Sequence, residues 1–336
     1  MADVYPTVAS VDYVQTAYDR LAYPALRPEL HFDKVADVRP TKQSMPGLTV
    51  QFTIQADLPV ASTALNESTD VSAVALSDSH LTVTLAEYGS AVISTAALRG
   101  GAFVDIDEIV ANVVGFNGGV SIDSVARAVL EAGTNVNYSA GATGTTPSGR
   151  TTVTTADTFR GYDVRVAAKT LAVNNVPRVN GSYWGFIHPE VSFDLQAETG
   201  IDGWLAPRVY GGASPAQDDI WENELGTFAG VRFVETPRAP EFLNAGSSSA
   251  SGVYNVFGTL IGGRQAFAKA HSTEDGNGAD PRVIPGPVTD HLRRFVPIGW
   301  YQLVGYGVFR QAALLRIESS SSIQALIAGV TINESG

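Results

Sequence analysis

From Leu48 to Gln55 apolar and polar residues alternate without a fault. Leu48, Val50, Phe52 and Ile54 point one way, and Thr49, Gln51, Thr53 and Gln55 point the other. The alternation returns from Leu81 to Leu85, where Leu81, Val83 and Leu85 interleave with Thr82 and Thr84. Period-two patterning of this kind predicts two strands with one apolar face each. Roughly two dozen residues separate them, which makes a long tip rather than a tight turn. A two-stranded hairpin alone is marginal in water, so this one is expected to lie on something else.

Two helical patterns follow in tandem. Ile106, Ile109, Val110, Val113 and Val114 keep i, i+3, i+4, i+7, i+8 spacing, with Asp105 and Asp107 placed to favour the helix dipole. Ile122, Val125, Ala126, Val129 and Leu130 repeat that spacing, and Gly133 stands where a C-terminal cap belongs. Asn117-Gly118-Gly119 lies between the two. Glycine costs about 1 kcal/mol inside a helix, so a kink or break is expected there. Upstream, residues 11–21 fit a short amphipathic helix, and Tyr23-Pro24 and Arg27-Pro28 then force extended chain.

Beyond residue 139 the pattern is mixed. Residues 139–155 are rich in Gly, Ser and Thr and read as a loop; 163–174 is helical; 183–187 is a short buried strand. Pro189 opens a helix through Ala197, a favoured first-turn position for proline. Strands are expected at 231–235 and 253–261, a second loop over 271–287, and one or two closing strands over 300–318. No internal repeat is evident. The order predicts an α+β protein, and 336 residues exceed the roughly 250–300 that one core supports, so at least two sub-domains are expected.

Charge changes the picture. Only 17% of residues are charged, against the usual ~25%, and the net charge is −12. Low charge with many Gly, Ser and Thr residues suggests surface hidden in contacts. No lysine or arginine occurs between Lys42 and Arg99, yet Asp57, Glu67, Asp70, Asp78 and Glu87 do. A long acidic hairpin suits contact with another subunit. Arg20, Arg27 and Arg39, on the opening stretch, are the candidate counter-charges. The acidic balance argues against a phosphate-gripping surface, which needs clustered Lys and Arg.

Candidate chemistry is thin. The histidines, His31, His80, His188, His271 and His291, are far apart in sequence, and there is no HExxH, GxGxxG, GxSxG or Gly-Lys phosphate loop. His188-Pro189-Glu190 reads as a strand end followed by a helix first turn. Residues 275–280 hold oxygen ligands and glycines without the register or distal Glu of an EF-hand, and read as a solvated turn. The absence of cysteine removes disulfides, thiolate metal sites and cysteine nucleophiles together. No catalytic residue, cofactor or metal is expected. The N-terminus lacks a signal-peptide pattern and no apolar run approaches the ~18 residues of a bilayer span, so assembly in cytoplasm without a membrane is expected.

Several local phrases, in order, carry a resemblance. Ala61-Ser62-Thr63-Ala64-Leu65-Asn66-Glu67 and Glu87-Tyr88-Gly89 flank the hairpin tip and exit; Arg127-Ala128 and Ala132-Gly133-Thr134-Asn135 end the helical stretch. Leu171-Ala172-Val173-Asn174-Asn175, Ile187-His188-Pro189-Glu190 and Gly230-Val231-Arg232-Phe233-Val234-Glu235-Thr236 follow, then Ile298-Gly299-Trp300 and Leu315-Arg316-Ile317-Glu318-Ser319. Together they resemble tailed-bacteriophage major capsid proteins of the Hong Kong 97-type fold, in the group typified by the coat protein of coliphage N-four. The departure is Phe116-Asn117-Gly118-Gly119, where that family's spine helix reads through.

The resemblance implies an N-terminal arm over 1–46 and an extended hairpin over 47–95. It also implies a peripheral domain over 96–160 with 290–336, and an axial domain over 161–289. It implies a shell of hexamers and pentamers enclosing double-stranded DNA, with a portal protein and scaffolding or decoration proteins as partners, and no enzyme activity. An encapsulin-type compartment of the same fold and an α/β enzyme are the alternatives.

Overall fold

A computed structural model describes residues 30–41, 106–198 (apart from Thr143), 224–249, 252–272, 280–286, Leu292 and 294–325. It also describes 49–101, apart from Ala56, Pro59, Thr63, Leu65, Asn66, Thr69, Val71 and Ser72. The helix expected over 11–21, most of the 275–280 turn, Arg20, Arg27 and His291 lie outside the described residues.

The described residues begin with β1 (Asp37–Thr41), β2 (Thr49–Gln55), β3 (Asp78–Thr84) and β4 (Ala86–Thr95), then α1 (Ala96–Gly101) and α2 (Ile106–Glu131). Next come β5 (Val136–Tyr138), α3 (Gly161–Val173), β6 (Tyr183–Ile187) and α4 (Pro189–Ala197). Strands follow: β7 (Glu224–Phe228), β8 (Val231–Glu235), β9 (Glu241–Phe242), β10 (Ser248–Ser249) and β11 (Gly252–Val253). The last are β12 (Val256–Gly262), β13 (Phe267–Ser272), β14 (Arg282–Pro285), β15 (Phe295–Val308) and β16 (Leu314–Ser319).

Two mixed sheets organise these strands. The first runs β5-β16-β12-β6-β8-β7, with β9 added on β12. Its central strand β6 is buried at every position, which is why Tyr183 to Ile187 is an unbroken apolar run rather than an alternating one. Val164, Ala167 and Leu171 of α3, Val191 and Leu195 of α4, and Ala126 and Leu130 of α2 join Phe186, Phe233 and Leu260 in one core. Each buried Val, Leu or Phe among them contributes roughly 1.5–3 kcal/mol by leaving water.

The second sheet runs β1-β13-β15-β14, with β4 paired along β15. Its spine is β15, which alternates: Ile298, Trp300, Gln302 and Val304 are buried. Trp300 and Val304 pack with Val114 and Ile122 of α2.

Helix α2 runs unbroken through Asn117-Gly118-Gly119, so the expected break is corrected. The glycines let the helix approach its neighbours. A Cβ on Gly118 would sit 3.1 Å from the Trp300 ring, and one on Gly119 would sit 2.7 Å from Leu30 Cδ1. Asn117 Oδ1 accepts a hydrogen bond from Trp300 Nε1–H at 2.9 Å. Close packing on the tryptophan offsets the backbone cost of glycine.

The 271–287 stretch is also corrected: it contains β14, whose Arg282 to Pro285 pair with Tyr301 to Ile298. Gly and Pro in its flanks masked the strand. Pro285 is tolerated because β14 is an edge strand, where no ladder donor is lost.

Residues 30–41 strap the two sheets together. Phe32 is fully buried beside Phe186, ring centroids 4.8 Å apart. Its backbone N–H donates to Asp123 Oδ1 at 2.9 Å, and Asp123 also meets Arg238 at 3.2 Å. Burial pushes the Asp123 carboxyl up from the ordinary carboxylate range, against the pull of Arg238. One residue on, Asp33 pairs with the buried Lys269 at 2.6 Å and accepts from the Tyr306 hydroxyl. β1 then adds in parallel to β13. On the first sheet, the fully buried Glu318 is held by Arg150 at 2.6 Å and Arg316 at 2.9 Å.

Candidate assembly interface

The hairpin β2–β3 is antiparallel in one continuous register, from Thr49 opposite Thr84 to Gln55 opposite Asp78. That register puts Val50 opposite Val83 and Phe52 opposite Leu81, so the apolar residues of both strands share a face. The face lies on the second sheet: Phe52, Val83 and Leu85 cluster with Ala268 and Ala270 of β13, and Leu303 and Phe309 close the edge. The expectation that the hairpin rests on something is met by β13 and β15.

Glycine makes the seat possible. A Cβ on Gly305 would stand 2.4 Å from Thr84 O, and one on Gly307 would stand 3.0 Å from Val83 Cγ2.

Beyond the seat the hairpin projects apolar residues into solvent. Val60 is 89% exposed and Leu76 is 80% exposed, and Leu58 and Val74 are more than half exposed. Side chains of this kind are normally buried, and four on one projection form a surface that gains by meeting another chain. Asp57, Glu67, Asp70 and Asp78 are exposed on the same projection. Glu87 is exposed too, but it lies in β4 opposite Leu303, on the sheet. Arg39 lies in β1 opposite Ala270. The geometry therefore gathers four of the five acids on the projection, while Glu87 and Arg39 belong to strands of the second sheet.

A second feature escaped the sequence. β4 pairs with β15 over ten residues, from Thr95 opposite Phe295 to Ala86 opposite Val304. On the face away from α2 a shallow cleft of about 430 Å³ is lined by Gly89, Ala91, Ile284, Pro297, Gly299 and Tyr301. Ile93, at the end of that face, is 61% exposed. The small residues Gly89, Ala91 and Gly299 were the available signal, but nothing local says that they share a face.

Three of the described histidines are buried in the fold, and His80 is exposed on β3. His188 caps α4, its Nδ1 accepting from the Glu190 backbone N–H at 3.3 Å, and its ring stacks on Phe257. Burial lowers its pKa to about 4, so the imidazole is neutral. His31 and His271 are buried at the strap and in β13. Among the described residues no three His, Cys, Asp or Glu side chains are grouped to hold a metal ion.

A long hairpin, a long helix laid on a sheet, and a separate sheet-and-helix core define the class of shell-forming subunits to which the solved relatives belong. The Ralstonia phage GP4 capsid is similar at TM-score 0.70 and 14% identity, covering 94% of this chain and 98% of that one. The cyanophage Pam1 capsid is similar at TM-score 0.70 and 15% identity, covering 96% and 100%. The cyanophage P-SCSP1u capsid is similar at TM-score 0.67 and 16% identity, covering 93% and 94%. No curated protein matches this chain.

The family model described as phage capsid protein matches residues 7–316, and the chain belongs to that family. It is a major capsid protein with the Hong Kong 97-type fold, a subunit of an icosahedral head.

Proposed function

We propose that this chain assembles as hexamers and pentamers, in the cytoplasm of a host bacterium, into a head that encloses double-stranded DNA without reading its sequence. The observation that carries the reading is the hairpin: its base is seated on its own sheet while its tip presents exposed Leu58, Val60, Val74 and Leu76. In this reading the arm is 1–46, the hairpin 47–95, the peripheral domain 96–160 with 290–336, and the axial domain 161–289. The hairpin overlaps a neighbouring subunit, and Asp57, Glu67, Asp70, Asp78 and Glu87 meet Arg20, Arg27 and Arg39 there. Exposed pairs are worth only ~0–1 kcal/mol each, so they set register while apolar burial supplies affinity. A portal protein, and scaffolding or decoration proteins, complete the head.

Negative-stain microscopy of the purified, concentrated protein tests this. Closed shells or ring-shaped capsomers are expected, and a uniform field of single chains would refute the proposal. The double variant Glu67→Lys, Asp70→Lys should fold with an unchanged denaturation midpoint yet form few shells. Normal shells from it would remove the acidic residues from the account.

A further inference from the structure

The first sheet ends at β5, and the outer edge of that strand is open. Asn135 O accepts from the Arg316 N–H at 3.0 Å, and the Ser139 N–H donates to Glu318 O at 3.0 Å. Alternate residues of this segment therefore bond β16, in the parallel register of Val136 with Arg316 and Tyr138 with Glu318. The N–H and C=O groups of Val136 and Tyr138 turn to the other side, where no described residue bonds them. Unpaired main chain of this kind is a template for a further strand.

A groove of about 360 Å³ lies beside that edge, lined by β5 itself, Ile317 of β16, and Tyr162, Asp163 and Val166 of α3. The Asp163 carboxylate is already engaged, accepting from the Ser139 hydroxyl at 2.6 Å and the Arg160 N–H at 3.0 Å. That leaves an aromatic and aliphatic wall on α3. Lys169 is exposed on the same face, since Tyr162, Val166 and Lys169 stand at i, i+4 and i+7. An open strand edge beside a helix is the geometry that takes an extended peptide by strand addition.

The hairpin carries a segment that fits. Residues 73–77 belong to no helix or strand, are exposed throughout, and lead directly into β3 at Asp78. Val74 and Leu76 alternate with Ala73, Ala75 and Ser77, so in a strand two aliphatic side chains share one face and three small ones the other. Asp78 follows, opposite in sign to Lys169. With the hairpin base seated on β13, Val74 and Leu76 stay exposed and leave the chain's own groove open. The matching groove therefore belongs to a second copy.

We propose that residues 73–77 of one subunit add as an outer strand to β5 of a second copy, with Val74 and Leu76 set against Tyr162 and Val166 and Asp78 near Lys169. Such docking rests on the reading that hairpins reach neighbouring subunits, and it names the surface they reach.

The absence of cysteine makes the test direct. Double variants Leu76→Cys, Tyr162→Cys and Leu76→Cys, Val166→Cys are assembled, treated with a short bismaleimide and run in detergent. The pair Thr53→Cys, His80→Cys, which face each other across the hairpin, is the control that reacts within one chain. A ladder of linked subunits is expected from at least one groove pair. Leu76→Cys, Phe193→Cys, whose second site is exposed on α4, should run as single chains. Shells that form with no link in either groove pair while the control reacts would overturn the docking and leave assembly intact. A link confined to one chain, or an equal ladder from the Phe193 pair, would overturn it as well.

If no shells form, a second measurement decides. A fluorescent peptide of residues 70–80 is titrated with unassembled chains, and a saturable rise in anisotropy is expected. Val74→Asp, Leu76→Asp in the peptide should weaken binding by roughly tenfold or more, the factor that burial of one such side chain supplies. Tyr162→Ala in the chain should weaken it too. Binding without shells would uphold the groove and refute assembly. No saturable binding, or binding indifferent to both changes, would overturn the docking.

Discussion

His188 shows how a single residue ties the fold to pH. As the cap of α4 it must accept a hydrogen bond at Nδ1, and its ring is buried against Phe257. Both demand the neutral imidazole, and burial lowers the pKa from 6.5 to about 4. Between those values the unfolded chain binds a proton that the folded chain does not. Stability from this site is therefore complete above the unfolded pKa and is lost as pH falls from 6.5 toward 4. At 1.36 kcal/mol per pKa unit the effect is on the order of 3 kcal/mol. His188→Asn keeps a good capping side chain but cannot titrate, so its urea midpoint should fall less between pH 7 and pH 4.5 than that of the parent. An identical fall in both would show that His188 is not the titrating group. The helix start was legible because Pro189 marks it; the capping role of His188 and its ring's burial against Phe257 were not, since β12 lies far along the chain.

Among the elements, α2 is where local propensity and packing disagree most. Three of its glycines separate the two effects by sign. A Cβ on Gly115 would meet Val283 Cγ2 at an ordinary 3.5 Å, so Gly115→Ala should stabilise. The gain expected is about 0.5–1 kcal/mol. On Gly118 the same Cβ would press the Trp300 ring at 3.1 Å and Pro281 at 3.3 Å, so Gly118→Ala should destabilise despite its better propensity. At Gly119 the neighbour is the mobile end of Leu30, and Gly119→Ala should lie between them. Denaturant midpoints of the three variants check the ranking, and a uniform gain would mean that the close approach to Trp300 is unimportant. The hairpin strands were legible from alternation alone. β14 was not, because four residues between glycines and prolines carry too little pattern.

For the whole molecule, charge and the absence of particular side chains make the predictions. Residues 47–95 contain no lysine, so the hairpin has no amine with which to form an amide to a neighbour. Shells boiled in detergent should therefore run as single chains, and a ladder of covalent multimers would contradict this. With 22 basic residues against 34 acidic ones, isolated capsomers should show no salt-sensitive affinity for duplex DNA. Micromolar binding that collapses as salt rises would instead reveal a basic lining. The acidic character of the projection was fully legible, since a run without Lys or Arg needs no structure to be seen. The cleft on β4, β14 and β15 was not, because it joins residues about two hundred positions apart.

By itself the sequence determined which residues of β2 and β3 share a face, where α4 begins, and that β6 is a buried strand. Its ordered local phrases also carried the family resemblance. Periodicity says that a face must be covered, however, and not by what. Only the tertiary structure decided that α2 continues through two glycines, because the compensation comes from Trp300, 182 residues beyond Gly118. It likewise placed Ala86–Thr95 as a sheet strand on β15 and closed the strap through Asp33, Lys269 and Tyr306. Those choices rest on contacts between segments far apart in the chain, whose energies no local window contains.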